Sequence, residues 1–497
     1  MKKVDCLFLH PTTHVKMPHF GTIDSLTYVI MPMGTLALAD VLHKGGYETK
    51  IVHTGIEKMC DRAFTVESLF KVYDVSVVAI DLHWYVHSYD AIRIADIAKK
   101  FSNAFVVLGG FTASFFSQEI MSQFDCVDAI VSGDAEISLL ELLKHFPRRE
   151  FKEVPNLMYR EETSLKQNER RYLADESDLD RLDFCNFHLF SNFDKYCTLV
   201  SQLGDLDPFA HKAKLKTQGW LCLGRGCSMN CSYCGGGEDA FRILTGREKP
   251  IYRSAQRVVE TLARFEESKI SCAYVDFDPF PNRREYYHEL FALIRKERID
   301  ISAEFLLWSI SGREFISDFR RTFNPLYSTM ALSPESGSEY VRKLNKGFYY
   351  SNQELFRWLD DVKREIVPLQ LYFSSGLSGE TKDSFEDTIK VGKIAVEKYP
   401  VVSASCNPIE LEPACPRFLH PEKYGIFPRF TRFTDYYAVF KGLAEASPVS
   451  SRLGYRTESL SEPEIVELSQ RFREMVRLTG YEKWRKVTQG ESLRVRK

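Results

Sequence analysis

Residues 226–237 read GCSMNCSYCGGG, which sets Cys227, Cys231 and Cys234 four and three apart, with Tyr233 against the last. Clustered thiols in a long chain are metal ligands or redox groups before they are anything else. A structural zinc ion normally closes with four protein ligands arriving as two separated pairs. This loop supplies three, and no second Cys pair or Cys/His pair follows it. Cys222, on LCLGRG, has the placement of ordinary strand packing. Three thiolates suit an iron-sulfur cluster better, because an iron left without a protein ligand can bind a substrate or cofactor directly. The remaining cysteines (Cys6, Cys60, Cys126, Cys185, Cys197, Cys272, Cys406 and Cys415) are scattered and read as small hydrophobes.

The elements that must position this loop alternate along the chain. In residues 1–145, VDCLFLH, ETKIVHT, DVSVVAIDLHW, AFVVLGG and AIVSGD read as strands, separated by helical patterns such as GTLALADVLHKGGY and AIRIADIAKKF. Such alternation predicts a doubly wound parallel sheet, with ligands beyond the carboxyl ends of its strands where the strand order reverses. His10, Asp81, His83, Gly109, Gly110, Gly133, Asp134 and Glu136 fall at those ends. Residues 146–215 are charged and irregular and read as a connector with one hairpin. From 216 to 405 the alternation resumes, with strands predicted at GWLCLGRGC, CAYVDFDPF, IDISAEFLLW, LYSTMALSPESGS, VPLQLYFSSGLSGE and VVSASCNPIE. That series predicts a partial or complete (β/α) barrel whose carboxyl-terminal rim carries the chemistry, with the cysteine loop just after its first strand. Residues 406–497 read as a mostly helical cap.

Composition narrows the classes. A chain of 497 residues suggests two or three domains. With 66 Lys and Arg against 68 Asp and Glu, the formal net charge of -2 gives no signature of nucleic-acid or membrane-surface binding. No apolar run reaches membrane-span length and the first residues lack a signal cleavage site, so a cytoplasmic enzyme without a nucleic-acid partner is expected.

The CxxxCxxC loop with an aromatic before its last cysteine resembles that of the radical S-adenosylmethionine (SAM) superfamily. The resemblance implies that Cys227, Cys231 and Cys234 hold a 4Fe-4S cluster whose open iron is chelated by SAM, and that Tyr233 packs beside the adenine. Further segments are similar to the superfamily in order. AYVDFDPF stands where many members carry Gly-Gly-Glu, which implicates Asp276 or Asp278 in positioning the methionine amino group. SPESGSEYVRKLNKG places Glu335 and Ser336 near the methionine or ribose, and YFSSGLSGET places Ser374 and Gly376 near the ribose and adenine. IYRSAQRVVETL supplies Arg253 to set the loop or neutralise a carboxylate.

MPMGTLALADVLHKGGYETKIV, VVLGGFTASF and VDAIVSGDAEISLLELL resemble the Rossmann-like domain of the cobalamin-binding subclass. That resemblance extends through LDRLDFCNFHLF and EPACPRFLHPEKYGI, and implies His10, Pro32, His83, Gly109, Gly110, Phe111 and Gly133 near a cobalamin. Glycines 109 and 110 suit a backbone lying against a flat macrocycle. The Asp-x-His-x-x-Gly motif that ligates cobalt in many corrinoid proteins is absent. Asp81 and His83 in DLHWYV make only its first half, and Asp40, His43 and Gly46 have the wrong spacing. His83 is the one residue nominated for the lower cobalt face.

The α/β architecture so implied is a cobalamin-binding domain, a radical SAM barrel and a helical C-terminal segment. The expected activity is methylation of an unactivated carbon of a peptide or protein side chain or a small metabolite, through a 5′-deoxyadenosyl radical and methylcobalamin. Flavodoxin or ferredoxin is the electron donor expected. Two other readings stand beside it: a radical enzyme of the same subclass doing cyclisation, ring contraction or carbon-carbon bonding, and a non-catalytic iron-sulfur or corrinoid-binding protein.

Overall fold

The computed structural model describes residues 1–12, 32–169, 171–197, 217–268, 270–279, 281–324, 328–445, 451–478, 484 and 486. The chain forms two compact units. The first comprises 1–199 with 241–248 and 430–452, and the second 200–240 with 249–429 and 453–497.

In the first unit β1 (Lys2–His10), β2 (Thr49–His53), β3 (Tyr73–Asp81), β4 (Phe105–Gly109) and β5 (Ala129–Val131) form a parallel sheet ordered β2-β1-β3-β4-β5. Its central strands carry near-continuous apolar runs, Cys6 to Leu9 and Val77 to Ile80, because such strands are buried on both faces. Between them helix Ser88–Phe101 buries Ala91, Ile92, Ile94, Ala95, Ile97 and Ala98, the spacing of one helical face. The order reverses between β1 and β3, so the ligand crevice expected of such sheets opens at the ends carrying His10 and Asp81.

The expected boundary at 145 moves. β6 (Leu157–Glu161) and β7 (Ser164–Gln167) form the anticipated hairpin, but it extends the first sheet antiparallel to β5 rather than standing as a connector. Buried Asp134 fastens this region: its carboxylate accepts from Arg247 Nη2 at 2.6 Å and from the Ala174 backbone at 2.9 Å. The cap expected over 406–497 is divided too. Helix Phe433–Ala444 belongs to the first unit, where Phe433 N and Thr434 N donate to Glu119.

The second unit opens with β8 (Gln218–Trp220), followed by a short antiparallel ribbon of β9 (Gly224–Arg225) and β10 (Ile251–Tyr252). Strands β11 (Cys272–Val275), β12 (Ser302–Leu307), β13 (Thr329–Glu335), β14 (Leu369–Ser375) and β15 (Val401–Pro408) then add in sequence order. Every pairing in this six-stranded sheet is parallel, as in a partial barrel. Tyr287, Phe291, Phe305, Phe315, Phe319 and Phe323 pack ring to ring between β12 and its flanking helices. Truncating one such buried ring to alanine costs about 3–5 kcal/mol. A further ribbon pairs β16 (Ile426–Pro428) with β17 (Tyr455–Thr457). Helix Glu462–Met475 lies against β14 and β15, with Ser375 Oγ donating to Ile465 O and Ser469 Oγ to Cys406 O. No helix among the described residues is long and apolar enough to cross a membrane.

Candidate functional site

The cysteine loop leaves the ribbon strand β9 at the carboxyl-terminal rim of the barrel. Each cysteine sulfur accepts one backbone N–H: Cys227 from Met229 at 3.3 Å, Cys234 from Gly236 at 3.4 Å, and Cys231 from Gly347 at 3.2 Å. Hydrogen bonds of this kind stabilise thiolates and tune a cluster's potential. Burial pushes the Cys227 thiol up to about 11 and the Cys234 thiol well above its ordinary value, the latter also by the charge of Glu412. Thiols so placed ionise readily only against a cation, which is what a cluster supplies. Among the described residues no three His, Cys, Asp or Glu side chains converge on a single ion. A cluster makes no such demand, because each thiolate takes a different iron.

Close packing fixes the loop. A Cβ on Gly235 would stand 2.4 Å from Pro413 O, and one on Gly347 would stand 2.7 Å from Met229 Cβ and 2.9 Å from Asn230 N. Gly347→Ala is therefore expected to displace the Met229 turn, at a cost of about 1–3 kcal/mol, and to lower iron retained after desalting severalfold. Full retention of iron would show that the turn yields freely.

Three buried polar residues not identified from sequence tie the loop to the rim. Asn345 Oδ1 accepts from Ser232 Oγ at 2.6 Å and Ser378 N at 3.1 Å, while its amide donates to Val341 O and Ser378 O. Arg342 donates to Pro334 O, Ser336 O, Tyr350 O and Asn352 Oδ1, holding the Glu-Ser-Gly-Ser turn from beneath. Arg417 donates through its backbone to Ser232 O, and through its guanidinium to Gly376 O, Tyr455 Oη and Glu410 O.

The rim residues expected from sequence divide into two groups. In the first, Glu335 at the end of β13 accepts from Ser374 Oγ at 2.6 Å and pairs with buried Lys346 Nζ at 3.8 Å. Burial and then the Glu335 charge push the Tyr233 phenol well above its ordinary value, and a hydrogen bond to Glu335 adds to this. Burial works against the Lys346 ammonium, but Glu335, joined by Tyr350 and Cys231, more than offsets it and its pKa is raised. Glu335 has φ +64°, a conformation that L residues rarely adopt without a constraining environment. Asp276 follows β11 with an exposed side chain that has no hydrogen-bond or ion-pair partner among the described residues. Protein atoms around it still raise its carboxyl pKa through burial. The open carboxylate of a recess satisfies both observations.

The second group is occupied with holding the fold. Asp278 is buried and accepts from Trp308 N at 2.9 Å, and its charge reaches the buried Tyr287 phenol, so Asp276 is the freer of the two aspartates. Ser336 is fully buried against Thr388, with its Oγ taking Ser338 N. Arg253 is buried and donates to Cys222 O, Arg257 O and Thr261 Oγ1, which sets the strand ahead of the loop. Gly376 has φ +82°, and its carbonyl accepts from Tyr455 Oη at 2.7 Å. Its N–H donates to Glu380, whose buried carboxyl is pushed up to about 8.

In the first unit, His83 follows β3 with an exposed side chain, its ring 4.8 Å from that of Phe111. Asp81 Oδ1 accepts from His83 N and Asp81 Oδ2 bonds His10 Nδ1 at 3.0 Å. Gly110 has φ +104°, and a Cβ there would stand 2.6 Å from His83 N and Cα. His10, in contrast, is 2% exposed and lies beneath the surface with His53 and His87, its ring centroids 4.6 and 5.4 Å from theirs. Pro32 is buried ahead of helix Met33–Lys44. Gly109 ends β4, and Gly133, with φ +82°, donates to Ser114 Oγ.

Residues 221–391 match the radical SAM superfamily, whose members hold a 4Fe-4S cluster and bind SAM. An uncharacterised methyltransferase of Pyrococcus horikoshii is 26% identical over 377 residues, covering 73% of each chain. The radical SAM methyltransferase TsrM of Kitasatospora setae, solved with cobalamin and a [4Fe-4S] cluster, superposes with TM-score 0.63 at 13% identity, covering 86% of this chain and 77% of that one. The cobalamin-dependent SAM radical enzyme OxsB superposes with TM-score 0.60 at 10% identity, over 94% of this chain and 66% of its own. Residues 221–391 are a radical SAM domain, in a chain whose fold is shared with TsrM and OxsB.

Proposed function

We propose that the protein is a cobalamin-dependent radical SAM methyltransferase acting on an unactivated carbon of a peptide or protein side chain or of a small metabolite. The observation that carries this reading is the rim of the second unit, where three cysteines with N–H donors to each sulfur stand in a unit that also presents the Glu335–Ser374 pair and the open Asp276. When bound, the cluster supplies the electron that cleaves SAM, and cobalamin carries the methyl group. Cys227, Cys231 and Cys234 hold the cluster. Asp276 accepts the methionine ammonium, and Glu335 with Ser374 holds the ribose or methionine end. Tyr233 lies beside the adenine.

In the first unit, the strand reversal suits a flat corrin, which Phe111 and His83 border, while Gly110 lets its chain seat against the His83 backbone. His10, bonded to Asp81, is buried at the end of β1, and Pro32 is buried ahead of helix Met33–Lys44. The similarity in fold to TsrM and OxsB supports the same assignment. A flavodoxin or ferredoxin serves as reductant in this scheme.

The reading is tested by anaerobic purification from cobalamin-fed cells, with iron, sulfide and cobalt quantified on one sample. About four irons and about one cobalt per chain are expected, with a product heavier by one methylene unit per turnover. Iron without cobalt, even after reconstitution with cobalamin, would leave a radical enzyme whose first unit has another task.

A further inference from the structure

We infer that His83 is the nitrogen ligand of the lower cobalt face, an inference that rests on the cobalamin reading above and goes beyond it. Four histidines gather at the carboxyl end of β1, β2 and β3, and they are not equivalent. His10, His53 and His87 are at most 2% exposed. His83 alone has an exposed side chain. It follows β3, one of the two strands between which the order reverses, so it stands where a ligand of this sheet would lie.

Its backbone is fixed on both sides. His83 N donates to Asp81 Oδ1 at 2.9 Å, and His83 O accepts from Thr112 N at 3.2 Å and from Thr112 Oγ1 at 2.9 Å. Gly110 seats against this backbone so closely that no side chain fits between them, which leaves the histidine ring as the projecting group of that surface. Phe111, 4.8 Å away and tilted by 30°, walls one side of the ring, and Trp84, at 5.7 Å, meets it edge-on. Neither ring nitrogen has a hydrogen-bond partner among the described residues.

A cobalt ligand needs an imidazole nitrogen free to face the metal, on a backbone that holds the ring in place. Asp81, which holds the His83 backbone, is itself fastened by His10 Nδ1 at 3.0 Å. This arrangement reaches by a different route what the missing Asp-x-His-x-x-Gly motif provides elsewhere: an open imidazole on a clamped backbone.

The test is electron paramagnetic resonance of the full-length protein loaded with cob(II)alamin. A nitrogen on the lower face splits each high-field cobalt line into a triplet, and an unligated face leaves the lines unsplit. Triplets are expected in the wild type, becoming doublets when the protein is grown with ring-¹⁵N histidine, and collapsing to unsplit lines in His83→Ala. His83→Gln, which keeps a polar side chain of similar reach but no imidazole, should lose the nitrogen splitting too. Unsplit lines in the wild type would overturn the inference. So would triplets that ignore the isotope, since the nucleotide base of the cobalamin would then be the ligand, and so would doublets that survive both substitutions. A protein that binds no cobalamin fails earlier, at the reading on which the inference rests.

Discussion

Cys231→Ala is expected to abolish the visible absorbance of the reconstituted protein and to reduce cleavage of SAM under dithionite to the level of a protein-free control. The substitution removes one of three thiolates, and the two that remain cannot carry a cluster with one open iron. It also removes the acceptor of the Gly347 N–H, on a turn whose Gly347 packs closely against Met229 and Asn230. Cys60→Ala is the matched control, because Cys60 is exposed in the first unit and belongs to no part of this site. Iron per chain, absorbance and 5′-deoxyadenosine should fall together in Cys231→Ala and stay together in Cys60→Ala. Cleavage that persists in Cys231→Ala would sink the cluster assignment.

The second large effect concerns acid. Burial, and then the charges of His10 and its neighbours, hold the imidazoles of His53 well below its ordinary value and of His87 down to about 3. Between the unfolded value near 6.5 and those lowered values the unfolded chain binds protons that the folded chain refuses, so stability falls as pH falls. Each histidine contributes about 1.4 kcal/mol per pH unit in that window. From pH 6.5 to 5 the first unit should lose on the order of 4 kcal/mol. The Asp81 carboxyl is also held below its usual value, by His10 against the opposing effect of burial, so its own contribution is lost only at lower pH. Hydrogen exchange, corrected for intrinsic rate, should show protection in β1, β2 and β3 falling over this range, with β12 to β14 of the second unit as the internal reference. Equal loss in both units, or none, would show that the buried histidines do not govern acid stability.

The strands were legible because parallel sheets bury both faces of their strands, so VDCLFLH, DVSVVAIDLHW and VPLQLYFSSG each announce themselves as apolar runs between turns. The cysteine loop was legible because its spacing is local. What escaped was set by contacts distant in sequence. Asn345, Arg342 and Arg417 look like surface residues on polar segments, yet they are 1%, 0% and 0% exposed. Charged residues are almost never fully buried unless paired, and the carbonyls that satisfy these two arginines come from turns whose meeting no local pattern records. The hairpin at 157–167 was anticipated as a hairpin, but its pairing with β5 depends on an edge that only the folded sheet supplies. Asp276 and Asp278 were indistinguishable in DFDPF; the bond from Trp308 N, thirty residues on, separates them.

The hold of Arg417 on the cysteine loop also orders events in time. Its backbone N–H reaches Ser232 O, inside the loop, and its guanidinium depends on Tyr455, which comes later still in the chain. On a ribosome the three cysteines emerge long before either residue exists. The hydrogen bonds that anchor the loop at Ser232 therefore form only after the last third of the second unit has been made.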